Sequence, residues 1–221
     1  MLVLDLNGTL MHRVSRVLGS AKAIRARPGL DRFLKFATAN FAVMVWSSAQ
    51  PFSVFNMIDM TFGSYESKLV RVWDRRFCNI DGKYFAKSQT IKDLRRITDG
   101  YHLGMSPYRS LLGEYDGFLG MCPDKKNHWK LDNILLIDDS EAKALRQKDN
   151  HILMSTYEGG KVDTELDLLI KYLQLYIDSK EHHLTLLDYV KEHKWQEFKR
   201  VSTREKINED EISINFQDLA L

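Results

Sequence analysis

Three short apolar runs, each followed at once by hydroxyl or carboxylate side chains, constrain the fold of this chain most strongly. The runs and the residues after them are 1–4 before Asp5, 41–46 before Ser47 and 133–137 before Asp138. Continuous apolar runs of this length are typical of strands that are buried on both faces of a parallel sheet. A helical apolar pattern over 30–37 separates the first two runs. The sequence therefore predicts an α/β fold with a parallel central sheet and helical crossovers.

The carboxylates at the ends of the first and third runs are expected to lie close together. The carboxyl ends of parallel strands meet in one crevice, where open α/β sheets bind ligands. Asp5 follows the first strand, and Asp138 and Asp139 follow the third. Clustered carboxylates repel one another unless a cation lies among them, and a hard, oxygen-ligated cation such as Mg²⁺ suits them best. The sequence therefore predicts a magnesium site.

Other side chains expected at this crevice suit phosphate chemistry. The Asp5 carboxylate can attack phosphorus and form an aspartyl-phosphate, which divides hydrolysis into two steps. The hydroxyls of Thr9, Ser47 and Ser48 can donate hydrogen bonds to phosphoryl oxygens. Lys92 can neutralise charge on the transferring group. We therefore predict phosphoryl transfer, a reaction that depends mainly on positioning and charge stabilisation.

Each of these motifs has a purely structural interpretation when it is taken alone. The stretch 5–9 is a good turn sequence, Ser47-Ser48 is commonly a helix N-cap, and a single lysine such as Lys92 usually lies on the surface. The stretch 138–140 equally suits a strand-to-helix turn. The order nucleophile, hydroxyl, lysine, acidic pair, with three of the four clusters at strand ends, favours the functional interpretation.

The middle of the chain predicts a small antiparallel hairpin insertion at about 65–90. Two stretches, 70–77 and 83–87, flank Asp81-Gly82, which is a strong signal for a two-residue hairpin turn. After the third apolar run, the stretch from Glu141 to Gln147 is interpreted as a helix.

The last part of the chain predicts a helical extension. A helix that starts near Asp163 has apolar residues on one face, and these are Leu166, Leu169, Ile170, Leu173 and Ile177. A second helix is predicted from His183 to Phe198, and 202–221 is charged and weakly patterned. We therefore predict one domain over 1–180, followed by a helical extension and a charged tail over 181–221.

Composition excludes several classes of protein. Hydrophobic residues make up 44% of the chain and charged residues 28%, as in globular domains. A formal net charge of +2 gives no global field for nucleic acid or membrane, and no apolar run reaches the roughly 20 residues of a membrane span.

Two distant cysteines, Cys78 and Cys122, predict an intracellular, reducing compartment, either nucleus or cytoplasm. Because the chain opens on a core strand, we expect a domain taken from a longer protein, without its targeting signals.

The order of these motifs resembles the haloacid dehalogenase (HAD) superfamily and, within it, the small C-terminal-domain phosphatases, or NLI-interacting-factor-like family. The resemblance covers about Leu2 to Leu175 and includes the hairpin insertion. The stretch from Trp129 to Ala144 is most similar to fungal members. The stretches that carry it are Leu4-Asp5-Leu6-Asn7-Gly8-Thr9-Leu10, Arg27-Pro28-Gly29, Trp46-Ser47-Ser48-Ala49, Ile91-Lys92-Asp93-Leu94, Leu136-Ile137-Asp138-Asp139-Ser140 and Asp163-Thr164-Glu165-Leu166. The resemblance implies a HAD-like Rossmannoid three-layer fold.

The resemblance also implies a Mg²⁺-dependent phosphatase that acts on phosphoserine or phosphothreonine in proteins through an aspartyl-phosphate. Asp5 would be the nucleophile, and Ser47 and Lys92 would bind phosphate. Asp5, the backbone carbonyl of Asn7 and Asp139 would hold the metal. The expected partner is a phosphoprotein, with no direct contact to nucleic acid.

Asn7 departs from the family pattern, which has Asp at this catalytic position. In the family that Asp protonates the leaving oxygen and then activates water, and an amide can do neither. Loss of a general acid–base typically lowers the rate by about 10²–10⁴. Three explanations stay open: a slow phosphatase, a pseudophosphatase that binds phosphoproteins or scaffolds a complex, and an engineered change that traps substrate.

Overall fold

A computed structural model describes residues 1–14, 23–81, 88–99, 129–179 and 184–204. The strands in these ranges are β1 (Leu2–Leu4), β2 (Met11–Arg13), β3 (Ile24–Ala26), β4 (Val43–Trp46), β5 (Arg71–Trp73), β6 (Asn79–Asp81), β7 (Gln89–Ile91), β8 (Leu135–Asp138) and β9 (His151–Leu153). The helices are α1 (Leu30–Asn40), α2 (Pro51–Thr61), α3 (Arg95–Thr98), α4 (Glu165–Asp178) and α5 (Leu186–Glu192), and residues 195–204 are also helical. Within these ranges, none of the helices is long and apolar enough to cross a membrane.

The central sheet has five strands in the order β5-β4-β1-β8-β9. Each neighbouring pair is parallel. β1 lies in the middle, with Leu4 beside Val45 of β4 on one side and Ile137 of β8 on the other. The polar residues that end or follow these three strands therefore lie at one edge of the sheet, as the sequence predicts.

Side chains of the sheet alternate between two apolar cores, because successive residues of a strand point to opposite faces. Leu2 and Leu4 of β1 belong to the larger core, which includes residues of α1, α2, α4 and α5. Met1 and Val3 belong to a smaller core that includes Ile97 of α3. Helices thus cover both faces of a parallel sheet, and the predicted three-layer α/β fold is confirmed.

Helix α1 forms where the apolar pattern predicts it. Leu30, Phe33, Leu34 and Ala37 are all buried. Asp31 lies in the first turn, where a negative charge favours the positive end of the helix dipole. The buried stripe fixes how the crossover between β1 and β4 packs against the sheet.

The hairpin lies later in the chain than its sequence pattern predicts. The stretch 70–77 is not a hairpin strand, because Arg71–Trp73 forms the edge strand β5, which pairs in parallel with β4 and buries Trp73 in the smaller core. The observed antiparallel hairpin pairs β6 with β7, from Asn79 opposite Ile91 to Asp81 opposite Gln89. The predicted strand 83–87 lies outside the described residues.

Two predicted helices also differ from the structure. The segment after β8 is a short 3-10 turn over Glu141–Ala144 rather than a helix through Gln147, because the carbonyl of Lys143 accepts a hydrogen bond from the backbone of Lys92 instead of continuing a helical ladder. The helix predicted over 183–198 is interrupted. Helix α5 ends at Glu192, and the next helical segment, 195–204, extends into the stretch predicted to be weakly patterned.

The last helices pack onto the larger core. Leu186, Tyr189, Val190 and Trp195 are buried there with side chains of α1 and α4. The domain boundary at residue 180 marks a change in the sequence pattern and remains a prediction.

Candidate active site

Three carboxylates meet at the carboxyl edge of the sheet. One oxygen of each of Asp5, Asp138 and Asp139 lies within 4.8 Å of the others. The pairing of β1 with β8 brings these residues together, and the Asp5 N–H continues that pairing by donating to the carbonyl of Ile137 at 3.0 Å. Asp138 is fully buried and Asp5 is 5% exposed. The cluster contains the three carboxylates that the sequence places at this edge.

The buried ammonium group of Lys92 lies between two of these carboxylates. Its Nζ is 2.6 Å from Asp5 Oδ1 and 2.5 Å from Asp138 Oδ2. Burial disfavours the charged form, but the charges of Asp138 and Asp5 outweigh burial and raise the pKa of Lys92 above its ordinary value. Lys92 therefore stays a cation at the centre of the cluster.

The same arrangement makes Asp5 easier to protonate. Burial raises the pKa of Asp5 to about 6, the ammonium of Lys92 opposes this shift, and the charge of Asp138 adds to it. Burial is the largest cause of this rise in pKa. Asp138 adds to it because two carboxylates share the positive charge of one lysine. A cation near Asp5 would lower this pKa and favour the ionised carboxylate.

The loop after β1 closes against Asp139. The Thr9 hydroxyl is fully buried and accepts a hydrogen bond from the Asp139 N–H at 3.1 Å. Gly8 has φ +92, and a Cβ at this position would lie 2.4 Å from Asp139 Oδ2. Only a residue without a side chain leaves room for the Asp139 carboxylate. The Thr9 hydroxyl thus contacts Asp139, and Gly8 lies against it.

The side chain of Asn7 contacts the backbone of the next strand. Asn7 is exposed, and its Oδ1 accepts a hydrogen bond from the Arg13 N–H at 3.0 Å. Arg13 ends β2, which pairs with β3. The amide therefore helps to fix the short β2–β3 hairpin that follows the nucleophile candidate.

Ser47 and Ser48 follow β4 at the same edge of the sheet. Ser47 is 2% exposed, and its Oγ accepts a hydrogen bond from the Ala49 N–H at 3.2 Å, which leaves the hydroxyl proton for another acceptor. The Ser48 carbonyl is 3.5 Å from Nη1 of Arg75. The Ser47 hydroxyl keeps the capacity to donate that the sequence analysis assigns to it.

Two basic residues near these groups are absent from the sequence prediction. Arg75, which is 8% exposed, donates its N–H to the Ala49 carbonyl at 2.9 Å. It follows β5, so the rule used for the other strands would have found it if 70–73 had been interpreted as a sheet strand. Lys143 donates to the hydroxyl of Thr90, two residues before Lys92. No sequence signal marks Lys143, because its partners come from a distant part of the chain.

Fold and site together define an α/β protein with a buried carboxylate–lysine cluster at the carboxyl edge of a parallel sheet. The chain belongs to the NLI interacting factor-like phosphatase family, whose model matches residues 1–185. A protein of Schizosaccharomyces pombe that contains an FCP1 homology domain is 30% identical over an alignment of 187 residues. The match covers 79% of this chain and 70% of that protein.

Two solved structures are also similar to this chain. One is the fission yeast RNA polymerase II CTD phosphatase Fcp1-R271A bound to beryllium fluoride, with a TM-score of 0.41 and 13% identity, covering 86% of this chain and 53% of that one. The other is Fcp1, an essential RNA polymerase II CTD phosphatase, with a TM-score of 0.40 and 13% identity, covering 85% and 55%. The chain thus spans about half the length of these two relatives.

Proposed function

We propose that this chain is a Mg²⁺-dependent phosphatase for phosphoserine or phosphothreonine in proteins, and that Asp5 is its nucleophile. One observation carries the proposal: Asp5 lies within 2.6 Å of the buried ammonium of Lys92, beside the carboxylates of Asp138 and Asp139. A nucleophilic carboxylate, a cation for the phosphoryl oxygens and oxygen ligands for a metal are the groups that phosphoryl transfer through an aspartyl-phosphate needs.

The carboxylate cluster fits Mg²⁺, which prefers oxygen ligands. Asp138 is already engaged, since Oδ2 pairs with Lys92 and Oδ1 accepts a hydrogen bond from the Ser140 N–H at 3.0 Å. This supports Asp5 and Asp139 as the ligands, together with the backbone carbonyl of Asn7, and Asp138 as the residue that orients Lys92. When bound, the ion would neutralise charge on the phosphoryl oxygens.

The chain's own residues account for the first half of the reaction. The Asp5 carboxylate forms a bond to phosphorus while the bond from phosphorus to the serine or threonine oxygen breaks. Lys92 stabilises the charge that gathers on the phosphoryl oxygens, and the Ser47 hydroxyl donates to one of them. Water then forms a bond to phosphorus while the bond from phosphorus to Asp5 breaks, which releases inorganic phosphate and regenerates the Asp5 carboxylate. We propose that Thr9 contributes by orienting Asp139, because the Asp139 N–H donates to its hydroxyl.

Asn7 makes a slow enzyme the best interpretation of this site. The departing alkoxide needs a proton, and because the amide of Asn7 supplies none, that proton comes from solvent water. Turnover should therefore be lower by about 10²–10⁴ than with an acid at this position. The contact between Asn7 Oδ1 and the Arg13 backbone also supports a second candidate function. A domain with that contact could bind phosphoproteins as a pseudophosphatase, with the β2–β3 hairpin held in place and little turnover.

The proposed cellular compartment rests on the thiol of Cys78. Cys78 is a free, buried thiol, and free thiols persist in reducing compartments. We therefore propose an intracellular site of action, in the nucleus or the cytoplasm.

Hydrolysis of an aryl phosphate with Mg²⁺ tests the proposal. The parent should show slow turnover that is lost in the isosteric variant Asp5→Asn and on addition of a chelator. A variant Asp5→Asn that remains as active as the parent would show that Asp5 is not the nucleophile. A parent that binds phosphate without any turnover would favour the pseudophosphatase.

Asn7→Asp measures the missing acid directly. An Asp oxygen can accept the same hydrogen bond from the Arg13 N–H, so the hairpin should stay in place. We expect kcat to rise by about 10²–10⁴ with little change in the melting temperature. An unchanged kcat would refute the assignment of this position to acid–base chemistry.

A further inference from the structure

A second lysine, Lys143, is hydrogen-bonded to Lys92 and to Thr90, two residues before it. Lys143 is half-buried in the 3-10 turn that follows the acidic pair, and its Nζ donates to the buried hydroxyl of Thr90 in β7. Its backbone carbonyl accepts a hydrogen bond from the Lys92 N–H at 2.9 Å. Lys143 is therefore attached at two points, to β7 and to Lys92, the residue that follows it.

The ammonium of Lys143 interacts with the charges of the cluster. Burial and the charge of Lys92 lower the pKa of Lys143, while Asp138 and Asp5 oppose that shift. These are the groups that surround the proposed site of phosphoryl transfer. Lys143 thus interacts electrostatically with these groups.

The charges of the cluster leave a place for another cation. Three carboxylates face one ammonium, that of Lys92. A divalent metal would bring this set to neutrality, and a phosphomonoester dianion would then add two negative charges that the set does not compensate in a buried setting, where charge is costly. Lys143, which is hydrogen-bonded to Lys92 and Thr90, can offset part of that charge.

We propose that Lys143 is a second cation of the phosphate site, which favours the phosphomonoester dianion by its charge. The inference rests on the proposed phosphatase function. Lys143 acts electrostatically rather than by contact with substrate, so it is not a catalytic residue. Its charge, rather than its hydrogen bond to Thr90, is the property that matters.

Three variants separate the charge from the hydrogen bond. Lys143→Met removes both, Lys143→Arg keeps the charge, and Thr90→Val removes the hydrogen bond while it leaves the charge and the side-chain shape at position 90. The probe is inorganic phosphate, titrated calorimetrically into the Mg²⁺-bound protein. We expect Lys143→Met to weaken binding by about tenfold, and the other two variants to stay within about threefold of the parent.

The dependence of phosphate affinity on ionic strength distinguishes an electrostatic role of Lys143 from a structural one. The difference between Lys143→Met and the parent should shrink at high salt, because mobile ions screen the charge. Melting temperatures of all variants show whether each is folded, and Lys143→Gln replaces Lys143→Met if the latter does not fold.

The outcomes are distinct. Equal phosphate affinity of Lys143→Met and the parent would overturn the inference and leave the proposed function intact. The inference would also be overturned if Thr90→Val lost as much affinity as Lys143→Met and Lys143→Arg did not restore binding. A parent that binds no phosphate in the presence of Mg²⁺ would overturn the proposed function and this inference with it. Rescue by Lys143→Arg together with normal binding by Thr90→Val supports it.

Discussion

At the scale of single residues, Asp5 ties the stability of the domain to pH. Burial raises its pKa from an ordinary value near 3.8 to about 6 in the metal-free protein. A group whose pKa is raised by folding stabilises the fold when protonated, so this contribution is present below about pH 4 and is lost as the pH rises through about 6. The raised pKa corresponds to about 3 kcal/mol of unfolding free energy across this window.

Asp5→Asn tests this linkage, because the amide does not titrate. Relative to the parent, the unfolding free energy of Asp5→Asn should increase by up to about 3 kcal/mol between pH 4 and pH 7. Urea unfolding in the presence of a chelator at several pH values measures the difference. A difference that does not change with pH would contradict the proposed environment of Asp5.

Gly8→Ala should impair the proposed metal site through a steric contact. A Cβ at Gly8 would lie 2.4 Å from Asp139 Oδ2, so that carboxylate must move. Gly63 provides a matched control, since it also has positive φ, at +52, but a Cβ there would have nothing within 4 Å. Both variants should lose about 1 kcal/mol of stability from the backbone strain. Titration with Mg²⁺ should show weaker binding in Gly8→Ala and normal binding in Gly63→Ala.

The sequence predicts the charged residues of the site better than their contacts. Asp5, Asp138 and Asp139 meet because strand order alone brings the ends of β1 and β8 together. The contacts of Asn7 with Arg13 and of Thr9 with Asp139 depend on how the loop after β1 folds back. Such contacts are set by tertiary packing, and residue type and spacing do not determine them.

At the scale of secondary-structure elements, a buried ion pair attaches the loop after β1 to the start of α4. The Arg27 guanidinium, fully buried, donates two hydrogen bonds of 2.9 Å to the carboxylate of Asp163 and one of 2.9 Å to the Thr9 carbonyl. The ring of Tyr157 lies 5.4 Å from the guanidinium carbon. The loop that supports Asp139 therefore depends on an arginine in the segment before α1.

Asp163→Asn should destabilise the domain, because it leaves the buried Arg27 without a counter-charge. The expected loss is about 2–3 kcal/mol, below the cost of breaking a fully buried pair since Asp163 is 18% exposed. Asp167→Asn is the matched control, because Asp167 also pairs with an arginine of the α1 region, Arg32, which is 67% exposed. That variant should change the unfolding free energy by less than about 1 kcal/mol. Equal losses in urea unfolding would contradict the importance of burial.

Strands that are buried on both faces are predicted well from the sequence. β1 and β8 are continuous apolar runs, so burial and strand conformation give the same pattern. Strand β5 is harder to predict from the sequence, because Arg71 interrupts its apolar run although Trp73 packs in the smaller core. The 3-10 turn over Glu141–Ala144 differs from the predicted helix because its backbone pairs with Lys92, a residue far away in the sequence.

At the scale of the whole molecule, the last helices stabilise the core on which the site is built. Four large side chains from them are buried there, and these are Leu186, Tyr189, Val190 and Trp195. Each buried side chain of this size contributes about 1.5–3 kcal/mol, while a typical domain has only about 5–15 kcal/mol of stability. A fragment that ends at residue 183 should therefore be largely unfolded.

Truncation defines where the folding unit ends. We expect the chain shortened to 1–204 to melt within a few degrees of the parent, because these four side chains remain. The chain shortened to 1–183 should show no cooperative thermal transition by circular dichroism. A cooperative transition in 1–183 like that of the parent would instead support a boundary near residue 180.

The hairpin of β6 and β7 forms a sheet of its own, separate from the five-stranded sheet that carries Asp5. Lys92 follows this hairpin, and its position depends on side chains and turns that dock one sheet on the other, including Lys143 and Gln147. The proposed nucleophile and Lys92 thus come from two sheets that these contacts join. Changes in the hairpin can move or remove Lys92 while the five-stranded sheet that carries Asp5 keeps its own hydrogen bonds. The contact between the two sheets is therefore a natural place for evolution or protein engineering to adjust the proposed activity.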